Sequence, residues 1–346
     1  MHQIFVVVEK SVITPSTLSD LWQRLKTRWR GSHEPSGTPG CVLVTGATSF
    51  IGRALVSALT ARGIPVRVLV HLAPRPGSLP WPNVQVTYAD LASPGAEFIR
   101  KTAEGCDVVF HLAAFSDESI PQRLYMVNVR GTKALVEAAR YAGVQRFILI
   151  STLATVGRVW NDSTEPSAWQ QQATHHVRSR FLAEEVALIA RRKGLAVTVV
   201  NLPTVVAPRM PLDHPFVEWL TCESLAWCAL PDTAPIHLVT LRDTADFLVE
   251  LATEGTCYSR LVPLAPDELT SQDLIRIWEA VGVSPTLPPP VQFAWRDHPP
   301  LYYRLTGASE VPVIRLATPA RPALRSLLRH VVKVRRANPY VFHAPA

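Results

Sequence analysis

The sequence predicts an α/β protein whose core is a doubly wound parallel sheet. Short apolar runs alternate with helical stretches from Cys41 to Asn201. Strands that are buried on both faces read as short, continuous apolar runs, and strands of one parallel sheet are joined by helices. The predicted strands are 41–45, 66–70, 84–88, 107–112, 146–151 and 196–201, and the predicted helices lie near 51–62, 95–104, 122–142 and 176–193.

The pattern is less regular on both sides of this region. Residues 1–40 form an extension that ends in a Gly-, Pro- and Ser-rich linker, GSHEPSGTPG at 31–40. We expect the main domain to span 41–205, with 236–255 returning to it. Pro-rich connections separate short elements after residue 205, including predicted helices at 243–253 and 270–281. Residues 206–346 are therefore expected to form mainly a smaller, irregular C-terminal lobe.

The composition is that of a globular protein. Hydrophobic residues make up 47% of the 346 residues and charged residues 18%. No apolar run reaches the length of about 18 residues that a membrane span needs, and the start of the chain does not resemble a secretory signal. The five cysteines are odd in number and never spaced Cys-x-x-Cys, so we expect reduced thiols in a cytoplasmic protein.

The net charge of +7 raises the question of an anionic partner. The arginines are mostly scattered, so we expect no nucleic acid as partner. Two basic segments, 18–30 and 321–336, have apolar residues at helical spacing. One interpretation is that both helices pack on the protein itself. The other is that one or both of them instead dock an anionic membrane surface or an acidic protein.

The stretch VLVTGATSFIG, residues 42–52, joins the first predicted strand to the first predicted helix. Gly46 suits a sharp turn after the strand, and Gly52 suits close packing at the start of the helix. Ser49 stands where a third glycine is common, and Phe50 and Ile51 open the helix. This context predicts a Rossmann-type dinucleotide site, with phosphate oxygens at the helix N-terminus. The alternative is an ordinary turn with chance glycines.

Several motifs in a fixed order make the chain resemble an extended short-chain dehydrogenase/reductase. This group includes nucleotide-sugar epimerases and dehydratases, 3β-hydroxysteroid dehydrogenases and dihydroflavonol reductases. The resemblance covers residues 41 to about 255 and implies an NAD(P)-binding Rossmann domain with a substrate lobe. The motifs are TGATSFIG (45–52), ADL (89–91), DVVFHLAA (107–114), NVRGT (128–132), FILISTLATVG (147–157) and LPTVVAP (202–208).

The resemblance implies a role for each matching residue. Asp90 and Leu91 would flank the adenine, and Ala113 and Ala114 would line the path of the ribose and diphosphate. A helix cap is the alternative for Asp90, and tight packing is the alternative for the two alanines. In addition, Asn128 would hold the central helix and a water molecule, and Pro203 would lie near the nicotinamide.

The end of the second strand bears on the choice of nucleotide. An acidic residue there binds both ribose hydroxyls of NAD, whereas a basic residue suits the 2′-phosphate of NADP. Val70 occupies the acidic position, and His71 and Arg75 follow it. The sequence therefore favours NADP(H) slightly over NAD(H).

The family's catalytic helix carries Tyr-x-x-Ser-Lys-x-x-Ala-Glu, whereas this chain has HVRSRFLAE at 176–184. His176 occupies the tyrosine position and Arg180 the lysine position, and Thr152 replaces the family's upstream serine. Histidine has an ordinary pKa near 6.5, so it can exchange protons near neutrality without a neighbouring cation. Arginine differs from lysine in shape and charge distribution. The helix is thus either an altered catalytic helix or only a packing element.

Two functions remain open at the level of sequence. The first is an NAD(P)-dependent oxidoreductase or epimerase/dehydratase acting on a small, lipophilic hydroxyl or carbonyl compound. The second is a non-catalytic NAD(P)H-binding structural or regulatory protein. A homodimer is compatible with both. His175 and His176 lack a carboxylate or cysteine at ligand spacing, so no metal site is expected.

Overall fold

The computed structural model describes residues 37–71, 81–93, 95–156, 158–159, 174–212, 214, 216–217, 220, 235–253, 257–282, 303–304, 311 and 313–337. The predicted helix at 18–30, most of the linker 31–40, and Arg75 lie outside these residues.

The described strands follow the predicted pattern and extend it. In chain order they are β1 (Val42–Thr45), β2 (Val66–Val70), β3 (Gln85–Tyr88), β4 (Val108–His111), β5 (Arg146–Thr152), β6 (Arg158–Val159), β7 (Ala196–Leu202), β8 (Thr204–Val206), β9 (Pro235–Ile236), β10 (Leu238–Thr240), β11 (Arg260–Leu264), β12 (Leu269–Thr270), β13 (Tyr303–Arg304) and β14 (Val313–Arg315).

The described α-helices also follow the predicted order. They are α1 (Phe50–Ala61), α2 (Ala96–Ala103), α3 (Pro121–Leu124), α4 (Thr132–Tyr141), α5 (His175–Arg192), α6 (Leu241–Thr253), α7 (Ser271–Glu279) and α8 (Ala320–Ala337).

Eight parallel strands form the main sheet, in the order β3-β2-β1-β4-β5-β7-β11-β14. The chain order reverses between β1 and β4, which is the topological switch point where such sheets bind ligands. The predicted fold class is therefore confirmed.

Successive residues of each strand point to opposite faces of the sheet, which helices cover on both sides. Val42 and Val44 of β1 face the core beneath α1 and α6, whereas Leu43 faces the core beneath α2, α4 and α5. Burial on both faces explains why these strands read as unbroken apolar runs.

The last two strands of the sheet lie beyond the residues assigned to the main domain from sequence. β11 pairs with β7, and β14 pairs with β11. The run 260–264 contains Pro263, and a proline argues against a central strand because it cannot donate a backbone hydrogen bond. Strand β14 has only three residues. Their pattern is too weak to predict a strand, although the apolar side chains of β11 are buried.

The helix predicted at 122–142 consists of three segments. A π-helical segment at Tyr125–Gly131 separates α3 from α4. A π-turn closes i→i+5 hydrogen bonds and so spaces its side chains more widely than an α-helix does. Apolar periodicity does not distinguish the two, so the sequence does not predict this segment.

The C-terminal lobe has its own apolar core. Helix α8 buries Leu324, Leu327, Leu328 and Val331 in it, beside Trp278 of α7. Arg321 also pairs with Asp273 at 3.0 Å, between Nη2 and Oδ1. The apolar side of α8 therefore packs within this lobe, and docking of residues 321–336 to a membrane or an acidic protein stays a prediction. Among the described helices, none is long and apolar enough to cross a membrane.

Candidate active site

The turn after β1 approaches the end of β4 closely. Gly46 has a φ of +69°, a backbone conformation that residues with a Cβ rarely adopt. A Cβ at Gly46 would lie 2.6 Å from the backbone nitrogen of Ala113, and one at Gly52 would lie 2.9 Å from Cα of Ala47. Both positions therefore lack room for a side chain, which agrees with the turn and packing roles expected for Gly46 and Gly52.

Ser49 is the N-cap of α1. Its Oγ accepts a hydrogen bond from the backbone N–H of Gly52 at 3.0 Å, and its own N–H donates to the Gly46 carbonyl at 3.0 Å. Thr48 and Ser49 are exposed, whereas Phe50 and Ile51 are half-buried against the apolar cores. The helix thus begins at the surface, where its free N–H groups can meet an anion.

The residues expected around the nucleotide differ in their exposure. Ala113 is half-buried and its N–H donates to Thr45 Oγ1 at 3.2 Å, whereas Ala114 is exposed. Leu91 is only 5% exposed and packs in the core, where a Cβ at Gly131 would lie 2.8 Å from its carbonyl oxygen. Pro203 is buried between β7 and β8. Leu91 and Pro203 thus pack in the interior, and their expected contacts with the adenine and the nicotinamide stay predictions.

Asn128 connects the loop after β4 to helix α5. Its Oδ1 accepts from Phe115 N at 2.8 Å, and its Nδ2 donates to Phe115 O and to Ser179 Oγ, both at 2.9 Å. Ser179 Oγ in turn donates to the His176 carbonyl at 2.8 Å. Asn128 is buried and all these polar groups are satisfied, so the network fixes the start of α5 relative to β4.

A polar cluster lies at the end of β2. His71 Nε2 is 3.2 Å from Asp90 Oδ2, and Arg123 Nη2 lies 3.7 Å from the same oxygen and 3.4 Å from His71 Nε2. The Arg123 guanidinium also stacks over the Phe115 ring at 5.4 Å. Burial alone would raise the pKa of Asp90, but hydrogen bonds from Ala92 N–H and His71 outweigh it and lower the pKa.

Arg123 was not identified from the sequence. It comes from α3, whose place beside the end of β2 is set by the tertiary fold. No local motif marks it, since isolated arginines are common in this chain.

Helix α5 begins against two side chains that act as caps. Thr174 Oγ1 accepts from Val177 N at 3.3 Å. The Glu118 carboxylate, from the loop after β4, accepts from His176 N at 2.6 Å and from His175 N at 3.1 Å. A carboxylate at a helix N-terminus also interacts favourably with the helix dipole. Glu118 lies 58 residues from His176 in sequence, and no pattern predicts this contact.

His176 is half-buried at this helix start. Burial and the positive charge of Arg180 together lower the pKa of His176 to about 4. The Glu118 carboxylate raises the pKa, but by less than Arg180 lowers it. At pH 7 the charged imidazolium is therefore about a thousandfold less populated than the neutral ring. A neutral ring nitrogen can accept a proton from a hydroxyl group.

Arg180 is only 4% exposed. Its Nη2 donates to the Ile150 carbonyl in β5, and its Nη1 has no hydrogen-bond partner among the described residues. Burial lowers the pKa of Arg180 to about 10, so the guanidinium remains charged at pH 7. Because the guanidinium group is enclosed, it has almost no exposed surface with which to bind a ribose, as the family's lysine would.

Thr152 is the last residue of β5 and is half-buried. Its Oγ1 accepts from Ala154 N at 3.3 Å, and its hydroxyl proton has no acceptor among the hydrogen bonds of the described residues. Ile150, which binds Arg180, lies two residues before Thr152 on the same strand. The end of β5 thus carries the hydroxyl and anchors the buried cation.

A buried ion pair fixes the middle of α5. Glu184 is fully buried and pairs with Arg260 of β11. Its Oε1 accepts from Asn201 Nδ2 at 2.9 Å, Thr155 Oγ1 at 2.5 Å and the Ser151 hydroxyl. Burial lowers the pKa of Arg260. The carboxylate thereby joins α5 to β5, β7 and β11.

The fold and this edge of the sheet define a dinucleotide-binding protein of the Rossmann class. Residues 42–226 match the model of the NAD dependent epimerase/dehydratase family, so the chain belongs to this NAD-dependent family. This confirms the resemblance to extended short-chain dehydrogenases/reductases.

Two relatives represent the range of similarity. The chain is 34% identical to sterol demethylase protein B of Methylococcus capsulatus over 172 residues, which cover 48% of this chain and 52% of that protein. It is 41% identical to the ceramide reductase of Caulobacter vibrioides over 271 residues, which cover 72% of this chain and 81% of that protein. The chain thus spans about half the length of the first relative and most of the second.

A solved structure agrees with the fold. The UDP-glucose 4-epimerase of Thermus thermophilus, in complex with NAD, has a TM-score of 0.58 at 20% identity. The match covers 84% of this chain and 99% of the epimerase chain. At this identity the likeness concerns the fold alone.

The ion pair of Glu184 predicts a large effect on stability. Glu184→Gln should lower the free energy of unfolding by about 3–5 kcal/mol, because it removes the fully buried carboxylate and leaves the mostly buried Arg260 with only the exposed Glu185 as its charge partner. Urea unfolding measures this change. The matched control is Glu185→Gln, since Glu185 binds the same arginine at 2.9 Å but is 45% exposed; we expect a change below about 1 kcal/mol. Equal effects of the two variants would contradict the role of the buried carboxylate.

Two histidines predict acid sensitivity of the fold. Burial, with a smaller contribution from Arg180, lowers the pKa of His111 to about 3, and that of His176 is lowered to about 4 from the ordinary 6.5. The unfolded chain therefore binds more protons below pH 6.5, and stability falls with pH from there towards about 4. Each histidine contributes up to about 1.4 kcal/mol per pH unit.

The test is to measure the free energy of unfolding in urea at several pH values between about 7 and about 5. His111→Gln should give a shallower decline than the wild type. Thr132→Val removes a hydroxyl 2.9 Å from His111 Nε2 without removing a titrating group, so it should lower stability but keep the decline. An identical pH dependence in wild type and His111→Gln would refute the explanation.

Proposed function

We propose that the protein is an NAD(P)-dependent oxidoreductase that interconverts a hydroxyl and a carbonyl group on a lipophilic substrate. The observation that carries the proposal is the neutral, half-buried His176 beside the carboxyl edge of the sheet. The glycine turn after β1 and Thr152 at the end of β5 lie at the same edge, because both strands are parallel to β4 between them.

The residues at the glycine turn fit a dinucleotide. The exposed start of α1 offers N–H groups to a pyrophosphate, and the lack of a Cβ at Gly46 and Gly52 lets the backbone pack closely there. The bound nicotinamide would supply the hydride acceptor or donor for the reaction. Asp90, Ala113 and Ala114 are proposed to line the adenosine and diphosphate path.

Two residues are proposed to act on the reacting oxygen atom, and a third acts through one of them. The Thr152 hydroxyl would donate a hydrogen bond to it. The unprotonated ring nitrogen of His176 would take up the hydroxyl proton when the substrate is oxidised. Arg180 would act as a positioning residue, because its buried charge adds to the effect of burial in lowering the pKa of His176.

We further propose NADP(H) as the preferred nucleotide. His71 lies at the end of β2, where no acidic residue follows the strand, and Arg123 reaches the same place from α3. A guanidinium is well suited to bind a phosphate group. Asp90 opposes this preference with its negative charge, but its distance of 3.7 Å from Arg123 leaves the guanidinium loosely paired.

The substrate is proposed to be a long-chain lipid that carries a ketone or secondary alcohol. Two relatives are named for a ceramide and a sterol, and the ceramide reductase match covers 81% of that protein. Both names describe lipids of low water solubility.

A second function is favoured by one observation. Arg180, which we assign to the lysine position of the family, is enclosed and bound to a backbone carbonyl, and this supports a site that has lost the family's ribose-binding cation. The protein could therefore bind a dinucleotide without turning over a substrate, as a structural or regulatory subunit. Nucleotide binding without turnover would support this function.

The catalytic proposal predicts that turnover depends on His176. With NADPH and a ceramide whose long-chain base carries a ketone, His176→Ala should lower kcat by about 10² or more. Oxidation of the corresponding alcohol should also slow as the pH falls through about 4, because the imidazole is then protonated.

The matched control is His175→Ala. His175 is the adjacent, exposed histidine, whose ring nitrogen Nδ1 lies 3.1 Å from Tyr125 Oη. We expect this variant to keep most of the activity. If His176→Ala retained full activity, or lost no more than His175→Ala, the imidazole would not be the proton acceptor.

The nucleotide proposal predicts tighter binding of NADPH than of NADH by calorimetry. Arg123→Ala should weaken NADPH binding by about tenfold, the loss of one charged hydrogen bond, and change NADH binding little. Arg130→Ala is the control, since Arg130 is exposed on the π-helical segment. Equal affinities in the wild type, or tighter NADH, would contradict the preference.

A further inference from the structure

Two cysteines meet at the edge of the sheet opposite the nucleotide site. Cys41 directly precedes β1, and Cys106 lies two residues before β4. These strands are parallel neighbours, with Val42 opposite Val108, so their amino ends lie side by side. The two Sγ atoms are 3.3 Å apart, although the residues are 65 positions apart in sequence.

The surroundings hold this arrangement in place. Asp107 Oδ2 accepts from Gly40 N at 2.6 Å and from Cys41 N at 3.3 Å, which fixes the backbone that leads into β1. Cys106 is 3% exposed, whereas Cys41 is half-buried. An oxidant can therefore reach Cys41 first, with the Cys106 sulfur already at contact distance.

The electrostatic environment makes Cys41 the reactive thiol of the two. A hydrogen bond from the Cys106 thiol, together with the positive charge of Arg67, outweighs burial and lowers the pKa of Cys41 to about 7. The hydrogen bond to Cys41 and burial raise the pKa of Cys106. Because the thiolate is the nucleophilic form, Cys41 attacks and Cys106 resolves.

We propose that Cys41 and Cys106 are a redox-sensitive pair that a peroxide converts into an intramolecular disulfide. The proposal is independent of the proposed oxidoreductase activity. It assigns a chemical role to two cysteines for which the number and spacing of cysteines in the sequence indicated only reduced thiols.

The reaction balances with the peroxide as the oxidant. The Cys41 thiolate attacks a peroxide oxygen, the O–O bond breaks, and the leaving hydroxide takes a proton to become water. The Cys41 sulfenic acid is then attacked by the Cys106 sulfur; the S–S bond forms, the S–O bond breaks, and a second water leaves with the Cys106 proton. The two thiols lose two electrons, and hydrogen peroxide gains them.

The disulfide would join the segment entering β1 to the segment entering β4. Cross-linking residues 65 positions apart restricts the unfolded chain, so the oxidised protein should be more resistant to unfolding. The bond lies at the amino edge of the sheet, and the glycine turn lies at the carboxyl edge. Nucleotide affinity should therefore change little on oxidation.

The test uses the full chain treated with hydrogen peroxide and quenched by alkylation. Peptide mapping by mass spectrometry should show a Cys41–Cys106 cross-link that forms within one chain and disappears after dithiothreitol. The thermal midpoint should rise on oxidation and return on reduction. Cys257→Ser is the matched control and should keep both effects, because Cys257 contacts Arg191 at another part of the sheet.

The variants separate the two roles. Cys106→Ser should abolish the cross-link and leave Cys41 as a sulfenic acid that dimedone traps. Cys41→Ser should abolish the cross-link and leave Cys106 without a dimedone adduct, because the buried Cys106 thiol is not the one that reacts with peroxide. The wild-type protein provides a readout that depends on no variant. If peroxide oxidises wild-type Cys41 without linking it to Cys106, or if the link forms only in urea-unfolded chain, the proposal is wrong.

Discussion

The close approach of the turn after β1 to the end of β4 is the constraint on which the carboxyl edge of the sheet depends. Gly46 and Ala113 come so near that a single added carbon would collide with a backbone nitrogen. This contact brings the start of α1 beside the loop that carries Ala114, Phe115 and Glu118. Since Phe115 is bound to Asn128 and Glu118 caps α5, the placement of His176 depends on the same approach.

Much of this arrangement could be predicted from sequence, because its causes are local. The predicted strands between β1 and β7 are visible as apolar runs, and the glycine turn is marked by its position between a strand and a helix. Ser49 in the middle position is compatible with the motif, since its hydroxyl caps the helix. The register of His176 and Arg180 also followed from the neighbouring Ser179, Ala183 and Glu184.

The remaining features arise from contacts between distant parts of the chain. Arg123 and Glu118 reach the site only because α3 and the loop after β4 are placed there by the fold. The exposure of Arg180 could not be inferred either, because helical spacing gives the direction of a side chain but not what encloses it. Strands β11 and β14 join the sheet through partners far away in sequence, and neither run has a distinctive pattern.

In the proposed site, His176 takes the family's tyrosine position and Arg180 its lysine position, and this exchange would change the acid–base properties of the helix. A tyrosine needs a nearby cation to lose its proton near neutrality. Histidine is already mostly neutral at pH 7, and burial and the charge of Arg180 both lower the pKa of His176 further. On this proposal, the pair would favour proton acceptance over proton donation.

The pairing of Glu184 with Arg260 also has a consequence for the order in which the chain folds during its synthesis. The two residues are 76 positions apart, so the carboxylate leaves the ribosome well before its arginine does. Until residue 260 emerges, closing α5 onto the sheet would bury an unpaired negative charge, which is strongly unfavourable. The growing chain should thus keep α5 undocked, and final docking should coincide with the addition of β11 to the sheet edge.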